Sequence, residues 1–552
     1  MRRPTQATNR ITGRARWWAL GAVMLAMFVA ALDQTVVSTA LPVIVSDLNG
    51  LNIYTWVFTA YMMASAITVP IYGKLSDIYG RKPFYLIGLG LFIVGSAASG
   101  QAHTMMELIL ARALQGVGGG ALLSMPRATI GDIFNPRERG RWMGVMSGVF
   151  GLSSIIGPTL GGWITDHLGW RWVFYVNLPV AALVLLAVTL TLPQVRVAGR
   201  VQLDWRGSVL MTAGLVPLLL GFTWAGSRYA WASPVTLGLF ASAVLFLVIF
   251  VVNERRTAEP LLDPQLFAAP VFTIASLVAL FVTMAMFGGL MFLPLYVQGV
   301  LGFSAQGSGV ILTPMMIGFA FGSVVGGLIM SRTGRYKVLA VAGAVLMVIG
   351  MALFNTMGVA TPWPVVVRNM VVAGVGIGAL LPLLNVVVQS AFPYRIMGVV
   401  NATQQFVRSL GGVIIAPILG SVLATRFAER FHEALPLTLR LVLRFLPPQQ
   451  RAVLDNPQGL ISAQAQQAIR GAFERFGDQG QTLYEQFLHA VRVGLAAGMG
   501  RVFLVGLVIA ALALSTALWL PEIRLKRDEF FAAEAPAPAS EPGLPAEGHD
   551  RR

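Results

Sequence analysis

Asp33 stands in an apolar run, Leu32-Asp33-Gln34-Thr35-Val36-Val37, which continues to Ala40-Leu41-Pro42. It is the one carboxylate well inside any predicted helix; Glu107 sits at an edge. A carboxylate in such a medium costs about 2.5–3.5 kcal/mol or more, so its position calls for a function or a partner. Burial disfavours its charged form and a neighbouring arginine favours it. A carboxyl balanced between the two can take up and release a proton. The alternative is a fixed Asp–Arg pair that only ties helices together. Two arginines are candidate partners. Arg112 precedes Gln115, Gly116, Gly118, Gly119 and Gly120, and at about 1.5 Å per residue it lies about as deep as Asp33. Arg408 follows Asn401, Gln404 and Gln405 and is near the middle of another apolar run.

Other chemistries find no residues. The chain has no cysteine, which excludes disulfides, thiolate catalysis and cysteine metal sites. Its five histidines are scattered without metal-ligand spacing. No phosphate-binding Lys-Ser/Thr loop is present, so ATP is not the energy source. The glycines after Arg112 resemble a dinucleotide fingerprint only superficially, because no strand precedes them; close helix packing explains them better.

These residues are positioned by apolar helices. Of 552 residues 56% are hydrophobic and 12% charged, and mean hydropathy is +0.71, too apolar for a soluble protein of this size. Runs long enough to span about 30 Å of hydrocarbon recur along the chain, and alternating strands of a β-barrel are absent. Predicted spans are 17–40, 53–73, 84–101, 107–130, 142–164, 171–191, 206–226, 234–252, 271–298, 307–330, 338–356, 364–390, 399–424 and 499–520. The first is too long for a signal peptide and has no convincing cleavage site.

Charge placement tests this threading. Lys74, Arg81 and Lys82, then Arg137, Arg139 and Arg141, then Arg196 and Arg200, Arg255 and Arg256, and Arg332, Arg335 and Lys337 fall in alternate connections. The opposite connections 41–52, 101–106, 299–306 and 357–363 contain no Lys or Arg. The positive-inside rule then puts the basic side, and with fourteen spans both termini, in the cytoplasm. The net charge of +16 belongs to these connections and does not signal nucleic acid.

The chain also repeats. Gly73, Leu75, Gly80 and Arg81 match Gly327, Ile329, Gly334 and Arg335, with Ser331 where the first copy has Asp77. Arg112 and its glycines are echoed by Arg368 with Gly374, Gly376 and Gly378. Both copies point the same way, the design of a two-half rocking carrier. The expected organisation is a basic N-terminus 1–16, a six-helix bundle 17–191, two inserted helices 206–252, and a second bundle 271–520. That bundle contains an external insert 425–498 with amphipathic patterns (Phe427, Phe431, Leu435; Leu483, Phe487, Leu488). A disordered tail 521–552 follows.

Four motifs make the sequence resemble the major facilitator superfamily, in its fourteen-helix drug:proton antiporter branch, over about 17–520. They are Gly73-Lys74-Leu75-Ser76-Asp77-Ile78-Tyr79-Gly80-Arg81-Lys82, the Asp33 segment, the Arg112 segment, and Gly148, Gly151, Gly157-Pro158 and Gly161-Gly162. Trp170-Arg171-Trp172-Val173-Phe174 leading to Asn177 and Pro179 is a further mark. The resemblance implies an all-α polytopic membrane fold of two six-helix bundles plus two inserted helices. It implies that Gly73, Asp77, Gly80, Arg81 and Lys82 lock the halves together on the cytoplasmic side. It implies that Arg112 assists proton transfer and that the glycine-proline motif marks an exporter, although a bent packing helix would carry the same residues.

The expected protein is then a proton-driven exporter in a bacterial inner membrane, monomeric, not an enzyme, with no cofactor beyond the proton gradient. Its partners are protons, the bilayer and hydrophobic or amphiphilic small molecules. Asp33, Arg112 and Arg408 are the candidate coupling residues. Gln34, Met62, Met63, Gln115, Met286, Gln404 and Gln405 are candidate cavity residues, since methionine suits an adaptable apolar surface. Lipid or a lipid-like metabolite is the alternative cargo, with 425–498 covering its external path. A membrane sensor on a transporter scaffold is the remote alternative.

Overall fold

With no water in hydrocarbon, a spanning backbone must bond to itself, and helices do this within one segment. The computed structural model has fourteen long helices among the described residues. They are α1 Arg14–Asp47, α2 Thr55–Tyr79, α3 Arg81–Gln101, α4 Met105–Ile133, α5 Pro136–His167, α6 Asn177–Thr191, α7 Trp205–Trp224, α8 Pro234–Arg256, α9 Pro270–Gly299, α10 Thr313–Thr333, α11 Tyr336–Asn355, α12 Trp363–Ala391, α13 Met397–Ala434 and α14 Asp478–Leu518. The structure describes residues 14–48, 53, 55–134, 136–192, 204–226, 228–257, 260–303, 312–392, 396–437, 439–440, 470–471, 473 and 478–522. The expected N-terminal arm up to residue 13, most of the tail and the middle of the external insert lie outside them.

Twelve of these helices, and α6 together with the turn before it, are long and apolar enough to cross a membrane. The remaining one, α5, is glycine-rich and less apolar, and it packs along α1. The predicted span 171–191 starts as a four-residue turn, Trp172–Tyr175, and continues as α6, with Pro179 in the first turn of α6, where no intrahelical N–H is needed.

The two halves use the same pairings. In the first, α4 lies between α2 and α3, and α1 packs on α5 and α6; in the second, α12 lies between α10 and α11, and α9 packs on α13 and α14. The glycines set the register. Gly116 backs onto the Tyr61 backbone and Gly118 onto Gly88 and Phe92; Gly374 backs onto the Met315 backbone and Gly376 onto Gly343 and Met347. This register corrects the sequence alignment of the arginines. Met370, fully buried, occupies the place of Arg112, and Arg368 lies two residues earlier and is exposed. Two residues turn an α-helix by more than half a revolution, so Arg368 faces the opposite way.

The inserted hairpin α7–α8 does not float free. Met211 and Leu215 of α7, Phe250 of α8, and Leu261 and Leu262 of the following linker form one cluster with Ile67 of α2 and Phe406 of α13. The hairpin therefore lies along the seam where the two bundles meet. Near its far turn Trp224 meets Trp56 of α2 at 6.4 Å between ring centroids, and Gly226 backs onto Ser421 of α13.

At the other end of the second bundle, the expected boundary between spans and insert is not seen. Helix α13 continues ten residues beyond 424, and α14 begins 21 residues before 499. At 38 and 41 residues they are about 57 and 62 Å long, roughly twice the hydrocarbon thickness. Phe427, Phe431, Leu435 and Phe487 join the buried core of the second bundle, so the amphipathic pattern reflects a helix pair packed on itself. Exposed Arg426–Glu429 and Arg430–Glu433 pairs face outward along it.

A clamp closes the first bundle on that same side. Asp47, past the membrane-length part of α1, accepts from Trp170 Nε1 at 2.8 Å and Arg171 Nη1 at 3.1 Å, and Arg171 Nη2 donates to the Ala102 carbonyl. The indole hydrogen bond, then Arg171, hold the Asp47 carboxyl below its ordinary 3.8. A depressed carboxylate stabilises above its unfolded-state pKa, and that contribution is lost as pH falls through its folded value. The unfolding temperature of the wild type should therefore show a small acid-side loss below about pH 4 that Asp47→Asn removes. The loss is small because the pair is solvent-accessible.

Candidate functional site

Asp33 is 1% exposed and lies at the junction of five helices. Its Oδ2 accepts from Arg112 Nη1 at 2.7 Å. Its Oδ1 accepts from Gln115 Nε2 at 2.9 Å and Asn177 Nδ2 at 2.8 Å. Arg112 and Gln115 are three residues apart, so α4 presents them on one face, and Arg112 Nη1 also donates to Gln115 Oε1 at 2.6 Å. Helix α6 brings Asn177, which also reaches Ser96 Oγ of α3 at 3.2 Å, and Ser96 donates to the Phe174 carbonyl. Helix α2 supplies the Val57 carbonyl and the Tyr61 ring, whose centroid is 4.3 Å from the Arg112 guanidinium carbon.

The backbone makes this burial possible. One turn after Arg112, a side chain at Gly116 would collide with the Tyr61 backbone, and one at Gly95 of α3 would collide with Gln115. Glycine at both lets α4 seat deeply enough for the arginine to reach Asp33. A buried ion pair survives only where further hydrogen bonds satisfy it. Here both carboxylate oxygens are satisfied, and one guanidinium nitrogen, Arg112 Nη2, is buried without a hydrogen-bond partner among the described residues.

The geometry limits the chemistry. Protonating Asp33 removes the counter-charge of a fully buried guanidinium and turns one acceptor oxygen into a donor. Such a change can alter how α1 sits against α4. The expected second partner, Arg408, is half-buried on α13, and the carboxylate bonds given above all come from the first bundle instead. Asn177 was legible only as a family mark, and Ser96 and Tyr61 gave no local signal, because a neutral residue in an apolar run looks like helix filler.

The expected cavity residues separate. Gln115 belongs to the ion-pair cluster. Gln404 is buried and donates to the Leu384 carbonyl, Gln405 donates to Ser409 Oγ, and Met286 is in the second-bundle core. Met62 lies against Gly412 of α13 and Met63 against the hairpin cluster, so both sit at the seam; Gln34, half-buried, follows Asp33 on α1.

The loop after α2 turns at Gly80, with φ +93°, which a side chain rarely tolerates. Arg81 Nη1 donates to Ser76 Oγ at 2.6 Å, and Lys82 Nζ donates to the Thr189 carbonyl of α6 at 2.7 Å. The Asp77 side chain lies outside the described residues. Gly73 faces Ala402 of α13 across the seam. In the second copy Gly334 also has a positive φ, +64°, but in the left-handed helical conformation that ends α10.

In α5 the glycines divide by face. Gly157 backs onto Thr35 and Gly161 onto Thr39 and the Val36 carbonyl of α1, next to Asp33; Gly148 and Gly151 face open space. Pro158 lies between the packed pair, and Gly162 is buried. Gly161→Ala should cost about 1–3 kcal/mol through overpacking. Gly148→Ala should cost nothing and stabilise the helix by up to about 1 kcal/mol. Thermal unfolding in detergent distinguishes them: a clear drop for the first, none for the second.

The family model for the Major Facilitator Superfamily matches residues 23–417. The chain belongs to this superfamily. It is a multi-pass membrane transporter, not an enzyme. The multidrug transporter protein MdtP of Bacillus subtilis is 37% identical over 517 residues, covering 91% of this chain and 92% of that protein. Multidrug resistance protein 3 of the same organism is 34% identical, covering 91% and 95%. Efflux pump FUS6 of Gibberella moniliformis is 32% identical, covering 72% of each chain. Among solved structures, an inward-facing bacterial homologue of the lysosomal transporter Spinster has a TM-score of 0.58 at 16% identity, covering 92% of this chain and 98% of that one. At that identity the likeness is one of fold. Relatives that are efflux and multidrug transporters support export of small molecules as the activity of this major facilitator protein.

Proposed function

We propose that this protein exports hydrophobic or amphiphilic small molecules in exchange for protons, with the basic face and both termini in the cytoplasm. The observation that carries the reading is the buried Asp33–Arg112 pair, with Gln115 and Asn177 completing the carboxylate shell. A proton entering from outside neutralises Asp33, frees Arg112 and favours the state that releases cargo. The cargo leaves along the seam between the bundles, where Met62 faces Gly412. The chain works as a monomer and needs no cofactor beyond the proton gradient.

The test is dye transport in proteoliposomes with an imposed pH gradient. Transport should follow the gradient, reverse with its sign, and stop when a protonophore collapses it. Transport that ignores the gradient would overturn proton exchange.

A second reading, export of a lipid or lipid-like metabolite, is favoured by one observation: α13 and α14 run as a packed pair well past the membrane. Deleting 430–490 and comparing dye efflux with lipid release separates the two. Loss of lipid release alone would support the lipid reading.

A further inference from the structure

Half-buried Asp204 and buried Glu254 form an acidic pair at the basic end of the inserted hairpin. Asp204 caps α7, accepting from the Gly207 backbone N–H at 2.8 Å. Its other oxygen accepts from Asn253 Nδ2 at 2.7 Å and Thr257 Oγ1 at 3.3 Å. Glu254, in the last turn of α8, is only 2% exposed. Its Oε2 accepts from the Leu262 backbone N–H at 3.0 Å. Its Oε1 is buried and has no hydrogen-bond partner among the described residues. That orphan oxygen and Asp204 Oδ2 converge on one point above Gly207, where a side chain would collide with both.

Two carboxylates meeting in a buried place cannot both be charged without a cation or a proton between them. The charged groups on the elements packed there are Arg206 on α7 and Arg255 and Arg256 on α8, all exposed, Asp263, which caps the short helical turn Pro264–Ala268, and half-buried Lys74 of α2 and Arg408 of α13 on the two bundle helices that pack against the hairpin. Glu259 lies outside the described residues. Among the described residues no ion pair reaches Glu254, and no group of three metal-ligating side chains is present. A proton on Glu254 Oε1, donated to Asp204 Oδ2, satisfies every polar atom of the cluster at once.

We propose that Asp204–Glu254 is a proton-binding site distinct from Asp33, whose protonated form fastens the hairpin and the following linker across the seam between the two bundles. The link runs from Glu254 through the Leu262 N–H to Leu261 and Leu262, which are packed against Ile67 of the first bundle and Phe406 of the second. Loss of the proton sets two anions against each other above Gly207. Glu254 then swings toward water, the Leu262 N–H is released, and the linker loosens from the seam. The proposal concerns the hairpin alone and does not rest on Asp33 as the proton carrier.

Infrared spectroscopy of the purified full-length protein tests the proton directly. The wild type should show the carbonyl stretch of a protonated carboxyl near neutral pH. Glu254→Gln should lose that component. Asp204→Asn keeps the helix cap, and its amide can donate to Glu254 Oε1 in place of the proton, so it should lose the component too. The absence of cysteine allows spin labels at exposed Val209 on α7 and exposed Tyr79 on α2 without other changes. The label distance should lengthen or broaden as pH is raised in the wild type and stay constant in Glu254→Gln. An unchanged carbonyl band in both variants would overturn the proposal. So would an equal pH response of the label distance in wild type and Glu254→Gln. If Glu254→Gln does not fold, Asp204→Asn carries both measurements.

Discussion

Asp33→Asn should leave a folded protein that no longer couples transport to a pH gradient. The amide keeps the size of the carboxyl, accepts one hydrogen bond and remains in reach of Arg112, Gln115 and Asn177. It holds no exchangeable charge. Each proton exchanged across a one-unit pH difference supplies about 1.4 kcal/mol, about tenfold in the cargo ratio that can be sustained. The variant should lose that whole factor at every imposed gradient, while downhill movement of dye continues. Accumulation by the variant equal to that of the wild type would remove Asp33 from the mechanism.

Arg112→Ala should be the most destabilising single change in the first bundle. It leaves the Asp33 carboxylate buried without its ion-pair partner, and breaking a buried pair from one side costs about 3–5 kcal/mol. It also strips the cation from the face of Tyr61. The paired change Asp33→Leu with Arg112→Met should recover much of the loss, because no isolated charge remains. Thermal unfolding of Asp33→Leu, Arg112→Met and the double measures the coupling as a cycle, with Arg112→Ala as the one-sided break. A double variant no more stable than Arg112→Ala would mean that the pair is not the source of the cost. Gradient-driven transport should be absent from all of them, so stability and coupling are read separately.

Much of this was legible in the chain, since hydrocarbon permits few alternatives. A spanning segment must be helical, a charge in it must be matched, and basic connections mark one side. Asp33 was therefore visible from its rarity alone, with Arg112 and Arg408 as candidate partners by depth. Arg408 is a candidate second partner by the same residue count, which gives depth but not direction. The same limit misassigned Arg368. Its glycines matched those after Arg112, but a two-residue difference in spacing turns the side chain to the outer surface, and Met370 takes the buried place.

The neutral members of the site show the other side of this. Asn177 and Ser96 differ little from their neighbours in hydropathy, and their roles come only from α3 and α6 crossing beside α1. Sequence by itself determined the spans, the repeat, the buried acid and the glycines that let helices approach, because each follows from local composition and the solvent. Tertiary structure alone decided that Arg112 meets Asp33, that the hairpin lies on the seam, that α13 and α14 run on as a packed pair of 38 and 41 residues, and that Glu254 faces Asp204. Those outcomes depend on rotation and packing between helices distant in the chain, and no local pattern of residues encodes such angles.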